Sequence, residues 1–318
     1  MPLPEKALIA RILRTSAKRR GIVTGIGDDS AVLAIPQGCQ ALVTTDFSLE
    51  GVHFRRKWHP PDSIGHRCLA RGLSDIAAMG GEPIAVLLSL AVPQKLPQRW
   101  VDGFMQGLLR LAGKFGVSLA GGDIAESARG IAADIVVVGS VPGGKAILRS
   151  GARPGDRIYV TGELGSSAAT LKLLRSKKTK ISAAHFGRHF YPVPRIEIGR
   201  ILRERGLASA MIDISDGLST DLAHICEQSG VGAKILEEAI PKAGIGHPRR
   251  EVEPRFALHG GEDYELLFSA PQGKRVPSRI ASVAITEIGE IKSTTNIVMI
   301  NRHGIPCELR PEGWEHFR

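Results

Sequence analysis

The sequence predicts a two-domain chain of mixed α/β and α+β character. Three observations carry that expectation. The length, 318 residues, is about twice the usual domain size. Strand-like and helix-like segments alternate in both halves, which excludes a bundle or a sandwich. One turn-rich passage near the middle separates them. With 43% hydrophobic and 23% charged residues, the chain is not disordered or low-complexity. The longest nearly apolar run, Pro83 to Pro93, is far short of the roughly 20 residues that span a membrane, so no membrane partner is expected.

In chain order, the Arg-rich start carries Glu5 and an apolar stripe of Leu8, Ile9, Ile12 and Leu13. That pattern reads as an amphipathic first helix rather than a targeting segment. Ala41 to Thr45 reads as a strand ending in Asp46. Asp62 or Ser63 can cap a helix with Ile64, Cys68, Leu69, Leu73 and Ile76 on one side. A buried strand follows at Ile84 to Val92. Trp100, Phe104, Leu108, Leu111 and Phe115 then recur at helical spacing, as core residues rather than a cofactor box. Val117 to Ala120 leads into Gly121-Gly122-Asp123, and Ile131 to Val141 makes another strand.

The turns from Pro142 to Asp156 mark the boundary, giving domains 1–147 and 148–318. Gly139 to Ala146 nearly matches a P-loop, but Ala146 stands where Ser or Thr would hold Mg²⁺, and Pro154 comes too soon for a long helix. It reads as a linker turn. The second half restarts with a strand at Arg157 to Thr161 and a helix after Gly165. Another strand, Ala210 to Ile214, enters a helix with Leu218, Leu222 and Ile225 on one face. Later strands are expected at Tyr264 to Ser269, Val283 to Thr286 and Asn296 to Ile300.

Four widely separated cysteines (Cys39, Cys68, Cys226 and Cys307) without a C-x-x-C pair argue against disulfides or zinc and for a reducing cytoplasm. The net charge of +10 calls for anionic partners, either nucleic acid or small phosphorylated molecules. Its basic runs, Arg14 to Arg20, Lys172 to Lys180 and Arg249 to Arg255, have no interleaved aromatics. Only 5% of the chain is aromatic, too little for base-stacking platforms, and no nucleic-acid partner is expected.

The acids are more informative. Eight of the thirteen Asp lie in six short segments rich in Gly, Ser or Thr: 27–30, 44–46, 74–75, 121–123, 213–217 and 260–263. Short carboxylates on rigid turns suit Mg²⁺, which takes oxygen ligands, keeps some waters and works jointly with substrate phosphates. Hydroxyls of Thr44, Thr45 and Ser215 add neutral oxygens, and the glycines allow close backbone approach to phosphate. One such Asp alone reads as a turn or cap residue; six segments together do not. No zinc motif and no G-x-S-x-G elbow is present.

These segments, in this order, resemble the thiamine-monophosphate kinase family, of the superfamily that includes aminoimidazole ribonucleotide synthetase. The stretches are GIGDDSAVL (25–33), TTDFSLEGVHF (44–54), LSDIAAMGGEP (73–83), GGD (121–123), LRSGARPGD (148–156), YPVPRI (191–196), IDISDGLSTDL (212–222), HGGEDYELLF (259–268) and GWEHF (313–317). The resemblance implies a two-domain synthetase-like fold, an N-terminal α/β dimerisation domain followed by a C-terminal α+β domain, and a homodimer. It implies Mg²⁺-dependent transfer of the ATP γ-phosphoryl to thiamine monophosphate. By motif, Asp29, Thr44, Thr45, Asp46, Asp75, Asp123, Asp213 and Asp216 would ligate several Mg²⁺ ions. Gly121, Gly122, Arg149 and Ser215 would contact ATP. His53, Glu262 or Asp263, and Trp314 would contact the thiamine phosphate. Taken alone, His53 reads as an ordinary histidine and Trp314 as a hydrophobic anchor.

The two readings agree on chemistry. A phosphate monoester is already mostly dianionic at neutral pH, so the acceptor needs no general base. Its obstacle is repulsion from ATP, about 4 kcal/mol per unit-charge pair at about 4 Å in a dielectric of about 20, which bound cations relieve. Two alternatives remain: another phosphoryl-transfer enzyme of the same superfamily, or a basic nucleic-acid-binding protein. A selenophosphate synthetase would carry an early reactive Cys, whereas the first here is Cys39, in another context. Nucleic-acid binding leaves the acids unexplained.

Overall fold

The periodicities in the sequence become elements of two compact units in the computed structural model, which describes residues 1–15, 21–27, 29–176 and 181–317. The first unit comprises Met1–Ile76 and Gly81–Gly144, the second Ala77–Gly80 and Lys145–Arg318.

The first unit opens with α1 (Glu5–Thr15), the strands β1 (Ile22–Thr24) and β2 (Val32–Leu33), β3 (Cys39–Leu49) and α2 (Pro61–Ala78). It continues through β4 (Glu82–Val92), α3 (Gln98–Phe115), β5 (Ser118–Glu126) and β6 (Ala132–Pro142). The amphipathic start forms as expected: Leu8 and Ile12 are buried, and Arg11 forks onto Asp102 at 2.8 and 2.9 Å. The four long strands make one sheet in the order β3-β6-β4-β5, antiparallel except for β4 and β5. Apolar faces of α2 (Cys68, Leu69, Leu73) and α3 (Phe104, Leu108, Leu111) are buried, each such side chain contributing about 1.5–3 kcal/mol. Ile22 and Leu33 pack on Ile84, Ala85, Ala120 and Val138.

Two elements differ from the sequence reading. Strand β3 runs past Asp46 to Leu49, because β6 pairs with it through Leu49 and Ala132. The Gly121-Gly122-Asp123 segment is not a turn but the middle of β5. Its register slips against β4 between Val86 and Leu87. Gly122 has φ 147°, and a Cβ there would overlap the Leu88 carbonyl, so the glycine serves a bulged close approach of two strands. Residues 143–150 contain no helix, and the P-loop-like stretch lacks its phosphate-binding helix.

The second unit contains β7 (Arg157–Thr161), α4 (Ser166–Ser176), α5 (Gly187–Phe190), α6 (Ile196–Glu204), β8 (Ala210–Asp213) and α7 (Leu218–Ser229). After β9 (Gly232–Leu236) come β10 (Gly244–Ile245), β11 (Arg250–Glu251), α8 (Pro254–His259), β12 (Leu266–Ala270) and β13 (Arg279–Ile280). The last strands are β14 (Val283–Lys292), β15 (Ile297–Ile300) and β16 (Pro306–Glu308). Its main sheet runs β16-β15-β9-β14-β7-β12-β8, with β13 on β14. All its pairs are antiparallel except β15 with β9. Ile158, Val160, Ile212, Leu218, Leu222, Ile225 and Leu267 share its core. The sequence reading did not anticipate α6 or β9. Among the described residues no helix is long and apolar enough to cross a membrane.

Candidate active-site residues in two units

Alternation along β3 divides the first carboxylate group. Residues 42, 44, 46 and 48 point inward, while 43, 45 and 47 are exposed. On the inner side the Thr44 hydroxyl donates to Asp75 Oδ2 of α2. Asp46 lies in the same group, and its carboxyl is pushed up to about 7, first by burial, then by the charge of Asp75 against that of Arg71, and by Asp134. Arg71 also donates from Nη1 to the Phe47 carbonyl at 2.6 Å, tying α2 to β3. Deeper in, burial raises the Cys68 thiol to about 12, so it is not a reactive thiolate at neutral pH.

On the outer side Thr45 Oγ1 donates to Asp134 Oδ1 at 2.8 Å. Ser89 of β4 stands in register with Asp134 on one side and Asp123 on the other. Thr45, Asp134 and Asp123 therefore share the sheet face away from Asp46. Asp123 is exposed, and its Oδ1 accepts the Ile124 N–H at 2.9 Å. Asp29 is exposed in the bend after Gly27, and Asp28 lies outside the described residues. His53 accepts the Leu49 N–H at Nδ1, 2.9 Å, which puts the proton of the neutral ring on Nε2.

The donor chemistry fits Mg²⁺ in one specific sense. Among the described residues, no set of three or more His, Cys, Asp and Glu is gathered to hold a metal by itself. Yet Asp46 and Asp75 lie together in a half-buried place where, after burial itself, the charge of Asp75 raises the Asp46 carboxyl more than Arg71 lowers it. A cation held by one or two carboxylates together with waters and substrate phosphates suits that arrangement.

In the second unit, Asp213 ends β8 and is buried. The following loop turns back on Asp221 of α7, whose Oδ2 accepts the N–H groups of Asp216 (3.2 Å) and Gly217 (3.0 Å). Burial, then the charges of Asp213 and Asp216, hold the Asp221 carboxyl well above the usual range. Ser215 is half-buried, and its carbonyl accepts the Glu262 N–H at 2.8 Å. Trp314, 51% exposed, donates its backbone N–H to the Asp216 carbonyl at 3.0 Å. Its ring stands edge-on to His316, centroids 5.6 Å apart. The tail is thereby laid against the Asp213–Gly217 loop. The Arg149 side chain is exposed, and its carbonyl accepts the Ser229 hydroxyl at 3.2 Å.

The two acids left open in the sequence stand in different settings. Asp263 turns onto the start of α4, accepting the Gly165 N–H at 2.6 Å and the Ser167 N–H at 3.4 Å, as a helix-capping carboxylate does. Its neighbour Glu262 stands on a left-handed residue, φ 65°. Burial outweighs those hydrogen bonds and pushes the Asp263 carboxyl up to about 7. A raised folded-state value means that the folded chain binds the proton more tightly. The stability this confers is complete below about pH 4 and lost as the pH rises through about 7. The Asp263→Asn variant should therefore gain in Tm relative to the natural chain between pH 5 and pH 8, read from paired thermal melts. A constant difference across that range would place the titration elsewhere.

Sequence reasoning missed Asp134, Asp221, Arg71 and a buried pair, Arg195 and Glu265. Asp134 of β6 and Asp221 of α7 share a signal, a carboxylate within a strand or helix that carries buried apolar residues, where a charge must have a partner or a task; Glu265 stands just before β12.

Comparison with known proteins places the chain in a family. Two family models match, AIR synthase related protein, N-terminal domain, over residues 27–141, and its C-terminal domain over 153–298. The thiamine-monophosphate kinase of Salmonella typhimurium is 39% identical, over 100% of this chain and 99% of its own. The chain belongs to the thiamine-monophosphate kinase family. Among solved structures, the thiamine-monophosphate kinase from Stenotrophomonas maltophilia K279a superposes with TM-score 0.82 at 34% identity, covering 94% of this chain and 97% of that one. AaThiL complexed with AMPPCP and TMP superposes with TM-score 0.79 at 32% identity, covering 98% and 96%. The family match spans both carboxylate groups, from Asp29 to Glu262.

Proposed function

We propose that the protein transfers the γ-phosphoryl of ATP to thiamine monophosphate, giving thiamine diphosphate and ADP in a Mg²⁺-dependent reaction. The observation that carries this reading is the crowding of acids beside Asp46, in a family whose solved relative is complexed with AMPPCP and TMP. In this reading Asp29, Thr44, Thr45, Asp46, Asp75 and Asp123, joined by Asp134, hold cations in the first unit, and Asp213 and Asp216 do so in the second. Bound Mg²⁺ would offset the charge of the two phosphates and so permit their approach.

The remaining side chains orient. Gly121 and Gly122 expose β5 backbone to the nucleotide, while Arg149 and Ser215 supply donors to its phosphates. Glu262, His53 and Trp314 face the acceptor, Trp314 by stacking on one of its rings. Asp221 holds the Asp216–Gly217 amides, and Asp263 fixes α4. No side chain acts as general base, since the acceptor phosphate is already ionised. A homodimer and a cytoplasmic setting belong to the same reading.

ADP release in the presence of ATP and Mg²⁺ tests it, with thiamine monophosphate compared against thiamine and hydroxymethylpyrimidine phosphate. Turnover should be confined to thiamine monophosphate and vanish with excess EDTA. Turnover of a different phosphorylated acceptor would reassign the substrate within the superfamily.

A further inference from the structure

Arg195, at the entry to α6, forks onto Glu265, at the entry to β12. Its Nε donates to Oε2 at 2.7 Å and its Nη2 to Oε1. The side chains are 16% and 3% exposed. Thr161, the last residue of β7, donates from Oγ1 to Glu265 Oε2 at 2.6 Å and accepts the Leu266 N–H at 2.8 Å. The next residue, Gly162, has φ 62°, and any side chain there would overlap the Glu265 carboxylate. Three elements are thus built around one ion pair.

Stability alone does not account for such a pair. Buried ion pairs can often be replaced by uncharged groups of similar volume at no net cost. Their geometry is what a substitute cannot reproduce, because the guanidinium fork fixes two donors at once. Here the geometry is transmitted to backbone. The Glu265 carbonyl accepts the Ile214 N–H at 2.7 Å, Tyr264 N–H donates to the Ile214 carbonyl at 2.9 Å, and Glu262 N–H to the Ser215 carbonyl at 2.8 Å. Segment 262–265 is so laced to the loop that carries Asp213 and Asp216. Within it Glu262 and Tyr264 hold left-handed φ values of 65° and 52°, a strain that persists only where the surroundings over-determine it.

We propose that Arg195 and Glu265 are positioning residues: their ion pair locks segment 262–265 onto the Asp213–Asp216 loop and so sets Glu262 and those carboxylates in register for the phosphorylated acceptor. The effect on the acceptor rests on the proposed kinase activity; the lock itself does not. Neither residue touches substrate in this account.

The double variant Arg195→Met/Glu265→Gln removes both charges and keeps an acceptor for Thr161, so it leaves no orphaned ion. Its melting temperature is expected within a few degrees of the natural chain. Amide exchange at Glu262, Tyr264 and Ile214 should nevertheless accelerate at least about tenfold, while β7 and β12 keep their protection. The kcat/KM for thiamine monophosphate should fall roughly 10²-fold, as misplacement by about 1 Å does elsewhere, with the KM for that acceptor raised. Natural exchange rates at the three amides, or natural kcat/KM once they are lost, would overturn the proposal. Should the double variant not fold, Arg195→Lys keeps the charge without the fork and is read at the same amides; unchanged protection there overturns the lock. If the natural chain itself does not use thiamine monophosphate, the kinase reading fails and the exchange result still judges the lock.

Discussion

Asp46→Asn is expected to abolish most phosphoryl transfer while making the metal-free protein more resistant to heat. The two effects have one cause. Burial first, then the charge of Asp75 against that of Arg71, and the charge of Asp134 raise the Asp46 carboxyl to about 7. Asparagine keeps the size and removes the charge. Without a cation present, relief of about 1 kcal/mol lifts Tm by roughly 2–4 °C. In the proposed reaction the same charge would draw and hold Mg²⁺. Losing a preorganised electrostatic contact of this kind costs about 10²–10³ in kcat. Melts in EDTA and an ADP-release assay measure the two sides independently. Near-natural turnover in Asp46→Asn would remove Asp46 from the metal set, and a lower Tm in EDTA would show that the acid stabilises the fold. Such a trade of stability for activity is expected wherever a site is built from groups that repel one another.

The signals that the sequence displayed most clearly are those with a fixed period. Trp100, Phe104, Leu108 and Leu111 predict α3 because only a helix brings that spacing to one face, and all four are buried. Arg157 to Thr161 is recognisable as a strand from composition and flanking turns, and β7 has those bounds. Glycine was harder to read, because it marks two different needs. In Gly121-Gly122-Asp123 its sequence context suggests a turn, whereas the need is for two strands to approach closely, which depends on a partner 34 residues earlier in the chain, Leu88. The acids divide similarly. Those in Gly-rich segments announce themselves, but Asp134 and Asp221 sit within β6 and α7, whose apolar periodicity hides them, and Glu265 is overshadowed by Glu262 and Asp263 just before it. Which face a β3 residue takes was legible in principle from alternation. That Thr44 and Asp46 meet α2 while Thr45 meets Asp134 was not, since it requires knowing what covers each face.

Gly122 ties fold and site together, and Gly122→Ala is expected to damage both. Two costs add. The residue holds φ 147°, outside the region an alanine tolerates, and non-glycine residues in such conformations lose about 1–3 kcal/mol. A Cβ would also overlap the backbone carbonyl of Leu88, and backbone in the centre of the sheet cannot swing aside as a flexible side chain can. Strand β4 is paired on both edges, with β5 and β6, so overpacking adds about 1–3 kcal/mol. A loss near about 4 kcal/mol corresponds to a fall in Tm of roughly 10 °C. The adjacent residue supplies its own control. Gly121 has no left-handed φ, and a Cβ there would meet only Leu87 Cδ2, at 3.4 Å. Gly121→Ala should therefore melt within about 2 °C of the natural chain, as mild substitutions do. Asp123 follows Gly122 directly, so the strand shift that accommodates an alanine moves its carboxylate too. Turnover should then fall in Gly122→Ala even at temperatures where the variant is fully folded. Equal losses of Tm in the two alanine variants would mean that the bulge relaxes freely, and would remove the strained glycine as the feature that places Asp123.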